Sequence, residues 1–312
     1  MQVDEDTIES RIQVSDAEEG SYSLISENER DEIFAQWGNL EALEDFMFSE
    51  RRTYHVRDLF DYLNHSYHLM LDFADKDVFT IGVGEGTEAI FFALYGARHV
   101  FGLDKNPHRI STLNKSAESY DLESKISTLV GDYTTAAIRP SCFDIVTMIG
   151  VLEWLPNTSS AGAEQVQYLK KAHQALKPDG TLVLGIESRM NPIYFLGRTN
   201  HGDIPFTPLL PRVLANTITM LFRNKPYTTF TYTNSGYRKL LARAGFSTVD
   251  IYPVLFSYQE PRFIFATSKG LREVLRKFGV QPVYDMGALL LSALPSWLLL
   301  KLVPSYIIIA RK

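Results

Sequence analysis

The chain has 312 residues, 45% hydrophobic and 22% charged, with a formal net charge of −6. This is ordinary globular composition, with length for one large domain plus additions, or for two domains. A single cysteine, Cys142, excludes a disulfide framework and a Cys-rich zinc site, and it suits a reducing, cytoplasmic compartment.

The charge is unevenly placed. Residues 1–32 hold eleven acids and two bases, a local charge of −9, which leaves +3 for the other 280 residues. With few large apolar residues and no clear period, this stretch reads as an acidic, disordered arm. It has no basic n-region and no apolar h-region, so no signal peptide is expected. Residues 33–76 read as a helical cap, because Val56, Leu59, Phe60, Leu63, Tyr67 and Met70 recur at helical spacing.

From residue 77 a different rhythm begins. An apolar run over 78–83 leads through a Gly-rich turn to a helix over 87–95. A strand (99–103), a helix after Pro107, and strands at 126–130 and 143–149 follow. Next come a helix over 163–176, a turn at 177–180 and a strand at 181–186. Strands alternating with helices of this length predict right-handed βαβ units and a parallel sheet, an α/β fold. Residues 188–231, with five prolines, read as an insertion holding one helix near 212–222. A helix over 232–244 capped by Gly245, a strand at 248–255, a basic helix over 271–278 and a closing strand at 305–311 complete the reading.

The chemistry centres on Gly82-Val-Gly84-Glu-Gly86, between the first strand and its helix. Glycines there permit a sharp turn and close ligand approach, and the helix start presents free N–H groups. Asp104 ends the next strand, eighteen residues after Gly86, where a carboxylate can accept both hydroxyls of a ribose. A dinucleotide fingerprint wants its third glycine three residues after Gly84; that position is Thr87, and the third glycine comes one residue early. The pattern favours S-adenosylmethionine over NAD. Gly131-Asp132-Tyr133 supports this, since a carboxylate after the third strand can accept from an adenine amine.

Taken together, Gly82-x-Gly84-x-Gly86, Asp104, Gly131-Asp132, Phe143-Asp-Ile-Val and Leu176-Lys-Pro-Asp-Gly180 resemble the ordered motifs of class I S-adenosylmethionine-dependent methyltransferases. The resemblance implies a Rossmann-like, doubly wound, seven-stranded, mostly parallel sheet over residues 77–312. Gly82, Gly84, Gly86, Asp104, Asp132, Tyr133 and Gly150 would then contact the cofactor. One departure stands out: the family carries an acid two residues before the first motif glycine, and here that residue is Thr80, with Glu85 and Glu88 as candidate substitutes.

Ile149-Gly-Val-Leu-Glu153-Trp154, Ile186-Glu187-Ser-Arg189 through Tyr194 and Gly197, and Tyr258-Gln-Glu-Pro261 are similar to a bacterial subgroup found beside glycosyltransferases and in polysaccharide assembly. That similarity implies O-methylation of a sugar in a glycan or glycolipid precursor, with Trp154, Glu187, Arg189, Tyr194 and Tyr258 near the acceptor. Glu187 and Arg189 either line that pocket or pair with each other. A hydroxyl acceptor benefits from a base within about 3 Å. His201 ranks first, for its ordinary pKa of about 6.5, ahead of Glu153 and Asp203. O- or N-methylation of a small metabolite stays open, as does a non-catalytic cofactor-binding partner of another transferase.

A metal is not expected: His65 and His68 share a helix face, but no acid or cysteine cluster completes a site. The missing Asn-Pro-Pro-Tyr turn and the lack of an Arg/Lys stripe with interleaved aromatics argue against nucleic acid. The uncharged stretch 286–300 is shorter than the ~20 residues of a spanning helix. It either packs on the domain or, with the basic helix before it, makes peripheral contact with a membrane. A homodimer is compatible with these readings.

Overall fold

The computed structural model describes residues 70–155, 161–197, 204–265, 268–278 and 290–312. The acidic arm, all but the end of the cap helix, the histidine pair at 65 and 68, and the insertion residues His201 and Asp203 lie outside them.

Eight strands form one sheet: β1 (Asp77–Ile81), β2 (His99–Asp104), β3 (Ile126–Val130), β4 (Phe143–Ile149), β5 (Leu176–Glu187), β6 (Thr248–Ser257), β7 (Glu260–Ile264) and β8 (Ser305–Arg311). Their order is β3-β2-β1-β4-β5-β8-β6-β7. The pairs from β3 to β5 are parallel; β8 runs antiparallel to both β5 and β6, and β7 antiparallel to β6. This is the expected seven-stranded, mostly parallel sheet with one addition. The short edge strand β7 follows Tyr258, where the sequence pattern suggests no strand.

Helices α1 (Thr87–Leu94) and α2 (Pro107–Ser119) cover one face. Their Ile90, Phe91, Ile110 and Leu113 pack with Val78, Val100, Ile126 and Ile145. Phe73, from the end of the cap, stacks its edge on Phe92 at 5.2 Å. The opposite face carries α3 (Ala161–Ala175) and, further along the chain, α6 (Asn234–Ala244) and α7 (Ser268–Phe278). Leu169, Leu240, Leu241 and Leu271 there meet Phe79, Val146, Met148, Leu182 and Leu184. The central strands β1, β4, β5 and β8 are buried on both faces over most of their length, so they read as continuous apolar runs rather than as alternating ones.

Three local features depart from the sequence reading. The turn at 177–180 is a bulge inside β5: β4 pairs with Leu176, then shifts register to Thr181, and Asp179 takes φ 62°. Helix α6 starts at Asn234 rather than 232, because Thr233 accepts from the Gly236 amide and Tyr232 bridges to Ser188. The insertion holds more than one helix: α4 (Pro192–Phe195), a 3₁₀ turn (Thr207–Leu209) and α5 (Arg212–Arg223).

The described part of the apolar tail packs on the domain only in part, since Leu290 and Trp297 are 65% and 63% exposed. Leu299 and Val303 are buried with Leu271 and Leu275 of α7, and the short helix α8 (Ser296–Leu299) precedes β8. Among the described residues no helix is long and apolar enough to cross a membrane.

Candidate active site

Parallel strands end together, so the loops after β1, β2, β3, β4 and β5 gather along one rim, where sheets of this type bind ligands. On the first loop, Gly82, Gly84 and Gly86 take φ 71°, 56° and 87°, in the left-handed region. A Cβ on Gly82 would come within 2.5 Å of Val151 Cγ2, and one on Gly86 within 3.3 Å of the Leu113 Cα. Gly84 is different. Nothing lies within 4 Å of the place its Cβ would take, so its backbone faces open space beside the start of α1. Glycine at 82 and 86 lets the loop pack inward, and glycine at 84 leaves it approachable from outside.

Asp104 ends β2 with its side chain buried. Its Oδ1 accepts from the Asn106 amide at 2.8 Å. Its Oδ2 has no hydrogen-bond partner and lies 3.6 Å from Arg109 Nη1 in an ion pair. A buried carboxylate oxygen without a hydrogen bond is costly unless a donor arrives, and ribose hydroxyls are such donors. Asp104 and the glycine loop therefore fit an adenosine-bearing cofactor.

Asp132 is exposed after β3. It caps its own loop, with Oδ1 accepting from the Thr134 hydroxyl at 2.7 Å and the Thr134 amide at 2.8 Å. The Thr134 bonds, helped by Lys105 and Lys171, hold its carboxyl below the usual range. Tyr133 turns the other way. It is buried in the core, its hydroxyl donates to the Tyr168 carbonyl at 2.8 Å, and burial pushes its phenol pKa up. The structure thus puts the Tyr133 side chain under the loop rather than on the rim.

Thr80 is buried, and its hydroxyl has no hydrogen-bond partner; Thr147, beside it in register on β4, is in the same condition. Of the two candidate substitutes for the missing acid, Glu85 is exposed. Glu88, in the first turn of α1, is partly covered and deep among neighbouring atoms, and that burial raises its carboxyl pKa.

Beyond β4 and β5 a second group assembles. Gly150 (φ 67°) donates to the Gly185 carbonyl at 2.8 Å. The Tyr258 ring lies over both glycines: a Cβ on Gly150 would meet the Tyr258 hydroxyl at 2.8 Å, and one on Gly185 its ring at 3.0 Å. That hydroxyl donates to Glu153 Oε1 at 3.3 Å, and Glu153 is fully buried in the 3₁₀ turn Leu152–Trp154. Burial, and then the charges of Glu153, Glu187 and Glu88, push the Tyr258 phenol far up, so it stays a donor. Trp154, next to Glu153, is 44% exposed. The sequence pairs Tyr258 with nothing near residue 153; the β6–β7 hairpin brings it there.

Glu187 and Arg189 do not pair with each other. Glu187 Oε2 accepts from the buried Tyr194 hydroxyl at 2.8 Å, and its carbonyl from Tyr237 at 2.9 Å. Arg189 is spent on the insertion, donating to the carbonyls of Pro208 at 3.1 Å and Leu210 at 2.6 Å. Burial and the neighbouring Arg212 lower its pKa. Arg189 thus fastens the insertion to the end of β5.

Gln165 is a contributor the sequence reading misses. Fully buried on α3, it donates to the carbonyls of Leu152 (2.9 Å) and Phe230 (3.1 Å) and accepts from the Tyr232 hydroxyl at 2.8 Å. The Phe230 amide in turn donates to the Glu153 carbonyl at 3.1 Å. Its signal is a polar residue on the face of α3 that otherwise buries Leu169 and Ala172. Among the described residues no group of three or more His, Cys, Asp or Glu side chains is placed to hold a metal.

The family comparison covers the segment that holds this geometry. Residues 79–184 match the family model described as a methyltransferase domain. A demethylmenaquinone methyltransferase of Lactobacillus johnsonii is 32% identical over 117 residues, 37% of this chain and 45% of that protein. The match thus spans less than half of that relative. Among solved structures, an S-adenosylmethionine-dependent methyltransferase from Mesorhizobium loti is similar with a TM-score of 0.49 and 17% identity, over 81% of this chain and 100% of that one. One from Methanosarcina mazei gives 0.49 and 18%, over 80% and 96%. Residues 79–184 thus match a methyltransferase domain, and the strand order, the glycine loop and the ribose-ready carboxylate fit S-adenosylmethionine as its cofactor.

Proposed function

We propose that the protein transfers the methyl group of S-adenosylmethionine to a hydroxyl oxygen of a sugar, in a glycan or glycolipid precursor. The observation that carries this reading is the fully buried Glu153, joined to Tyr258 and set between the glycine loop and the insertion. When bound, the cofactor supplies an activated methyl group on a sulfonium, so the protein's task is alignment, exclusion of water and removal of one proton.

Glu153 is the described residue suited to take that proton from an acceptor hydroxyl. The raised phenol of Tyr258 keeps its proton and orients the Glu153 carboxylate by donating to Oε1. Glu187, with Tyr194 on its Oε2, offers a second acceptor for sugar hydroxyls, and the exposed Trp154 offers an apolar face of the kind on which sugar rings stack. His201 and Asp203 lie on the insertion, outside the described residues, and keep their standing as alternative bases. The similarity to polysaccharide-assembly methyltransferases supports a sugar as acceptor; the L. johnsonii relative is named for a quinone precursor, and its match covers 117 residues.

Calorimetric titration with S-adenosylhomocysteine, followed by methyl transfer to a panel of nucleotide- and lipid-linked sugars, tests the proposal. Glu153→Gln should lower kcat about 100-fold while leaving product affinity within about twofold. Absence of cofactor binding sinks the enzyme reading. Tight cofactor binding without transfer to any sugar sinks the acceptor class, and full activity of Glu153→Gln removes Glu153 as the base.

A further inference from the structure

Helix α5 is built inside out. The residues it turns toward the protein are small or polar: Ala215 and Thr219 are buried. Val213 and Leu221 face away, 82% and 76% exposed, and Phe222, in line with Ala215 but near the helix end, is also 76% exposed. Leu214 and Met220 are exposed on the same side. A helix on a globular surface normally does the reverse.

This helix is not free to roll its apolar side inward. Arg212 lies over the Phe230 and Tyr232 rings at 4.8 and 4.4 Å, and Asn216 Oδ1 accepts from the Tyr227 amide at 3.1 Å. Ala215 packs with Tyr227 and Phe230. The same insertion also exposes Leu196, at 83%, and holds Phe206 in the left-handed region at φ 65°, half exposed, against Gly197. A bulky residue at positive φ is a strained arrangement that the surrounding structure must enforce.

The charge beside this face has one sign. The described residues of the insertion carry no acid; Arg189 and Arg212 are turned to the protein, which leaves Arg223 and Lys225 as the charges beside this face. Arg223 and Lys225 are exposed at the end of α5, next to Leu221 and Phe222. An apolar helix face with basic residues at its end is the pattern of a helix lying in a bilayer interface. A second copy of the chain seated on this face is the alternative that the vesicle experiment separates from it.

We infer that α5 is a membrane-docking face, seating its apolar side in an anionic lipid surface with Arg223 and Lys225 at the headgroups. This puts a membrane contact on the insertion beside Glu153, apart from the C-terminal tail, where Leu299 and Val303 pack into the core but Leu290 and Trp297 are exposed. It holds whichever acceptor the enzyme takes.

Sedimentation of the full chain with sucrose-loaded vesicles tests it, comparing phosphatidylglycerol/phosphatidylcholine mixtures with phosphatidylcholine alone. The wild type should pellet with the anionic vesicles and far less with the neutral ones. Leu221→Ser with Phe222→Ser should cut the partition tenfold or more, and Lys225→Glu about fivefold or more. Unchanged melting temperature and S-adenosylhomocysteine affinity show that the variants fold. The wild type alone provides a second measure, since about 0.5 M salt should release much of the bound protein. Wild type left in the supernatant, or variants that pellet like it, overturns the inference. So does a dimer that the Leu221/Phe222 variant converts to monomer without any vesicle binding, which would make the face an interface between copies.

Discussion

The two sides of the rim, the one that fits the cofactor and the one proposed for the acceptor, are built by different means. From β1 to β3 the site is made by backbone: three glycines at positive φ, a helix start and one carboxylate at a strand end. From β4 onward it is made by side chains reaching across long sequence separations, with Tyr258 to Glu153, Tyr194 to Glu187, and Gln165 joining the 3₁₀ turn to the insertion. A backbone-built site can be carried by short local motifs. A site built from side-chain contacts depends on which segments the fold brings side by side. The two halves should therefore fail differently when mutated.

The largest effect is expected at Gln165. Replacing it with alanine leaves two buried carbonyls and the Tyr232 hydroxyl without their partner and should cost about 3 kcal/mol. That would appear as a melting temperature lower by roughly 5–10 °C. If the halves are independent, S-adenosylhomocysteine affinity should stay within about threefold, whereas acceptor KM rises. A parallel collapse of cofactor affinity would break the comparison.

Asp104→Ala should do the converse. Removing the ribose acceptor should weaken S-adenosylhomocysteine by about 2 kcal/mol, roughly 30-fold, with the melting temperature of the ligand-free protein nearly unchanged. Unaltered affinity would mean that Asp104 only caps the Asn106 turn.

The smallest effect lies away from the rim, at the start of β1 and β4. There Lys177 Nζ sits 2.7 Å from Asp144 and 3.1 Å from Asp77, which also pairs with Arg98. Arg98, and then Lys177, hold the Asp77 carboxyl below its ordinary value of 3.8. A lowered folded-state pKa contributes stability that is present above about pH 4 and fades as the pH falls through the lowered value. Because these groups are partly exposed, Lys177→Ala should cost less than about 1 kcal/mol at neutral pH. Denaturant melts at pH 7 and pH 3 should show the difference between wild type and variant shrinking at the lower pH. Activity should not change, and a loss of turnover would mean that the two ends of the sheet are coupled.

Much of the first half was legible before any coordinates. The strands from Val78 to Ile186 are continuous apolar runs punctuated by Gly, Pro and Asp, and their period and order point to a parallel sheet. Gly82, Gly84, Gly86 and Asp104 follow from spacing, because a turn of that shape must sit between a strand and its helix. Tyr133 shows the limit of such reasoning. Its position in the motif is unambiguous, yet its ring is buried in the core, with the hydroxyl on the Tyr168 carbonyl. The bulge at 177–180 is a similar case, since a Lys-Pro-Asp-Gly run reads as a turn whether it separates two elements or interrupts one.

Composition and local pattern determined the class of sheet, the glycine turn with its strand-end carboxylate and the excess of acid in the first 32 residues, because burial periodicity, turn chemistry and charge are properties of neighbours in sequence. Only the tertiary structure decided that Tyr258 covers Gly150 and Gly185, that Arg189 anchors the insertion rather than pairing with Glu187, and that α5 turns its apolar side outward. Each of these depends on contacts between residues far apart in the chain or on which side of a helix meets the sheet. An amphipathic period specifies that two sides differ, and packing alone selects which one is buried.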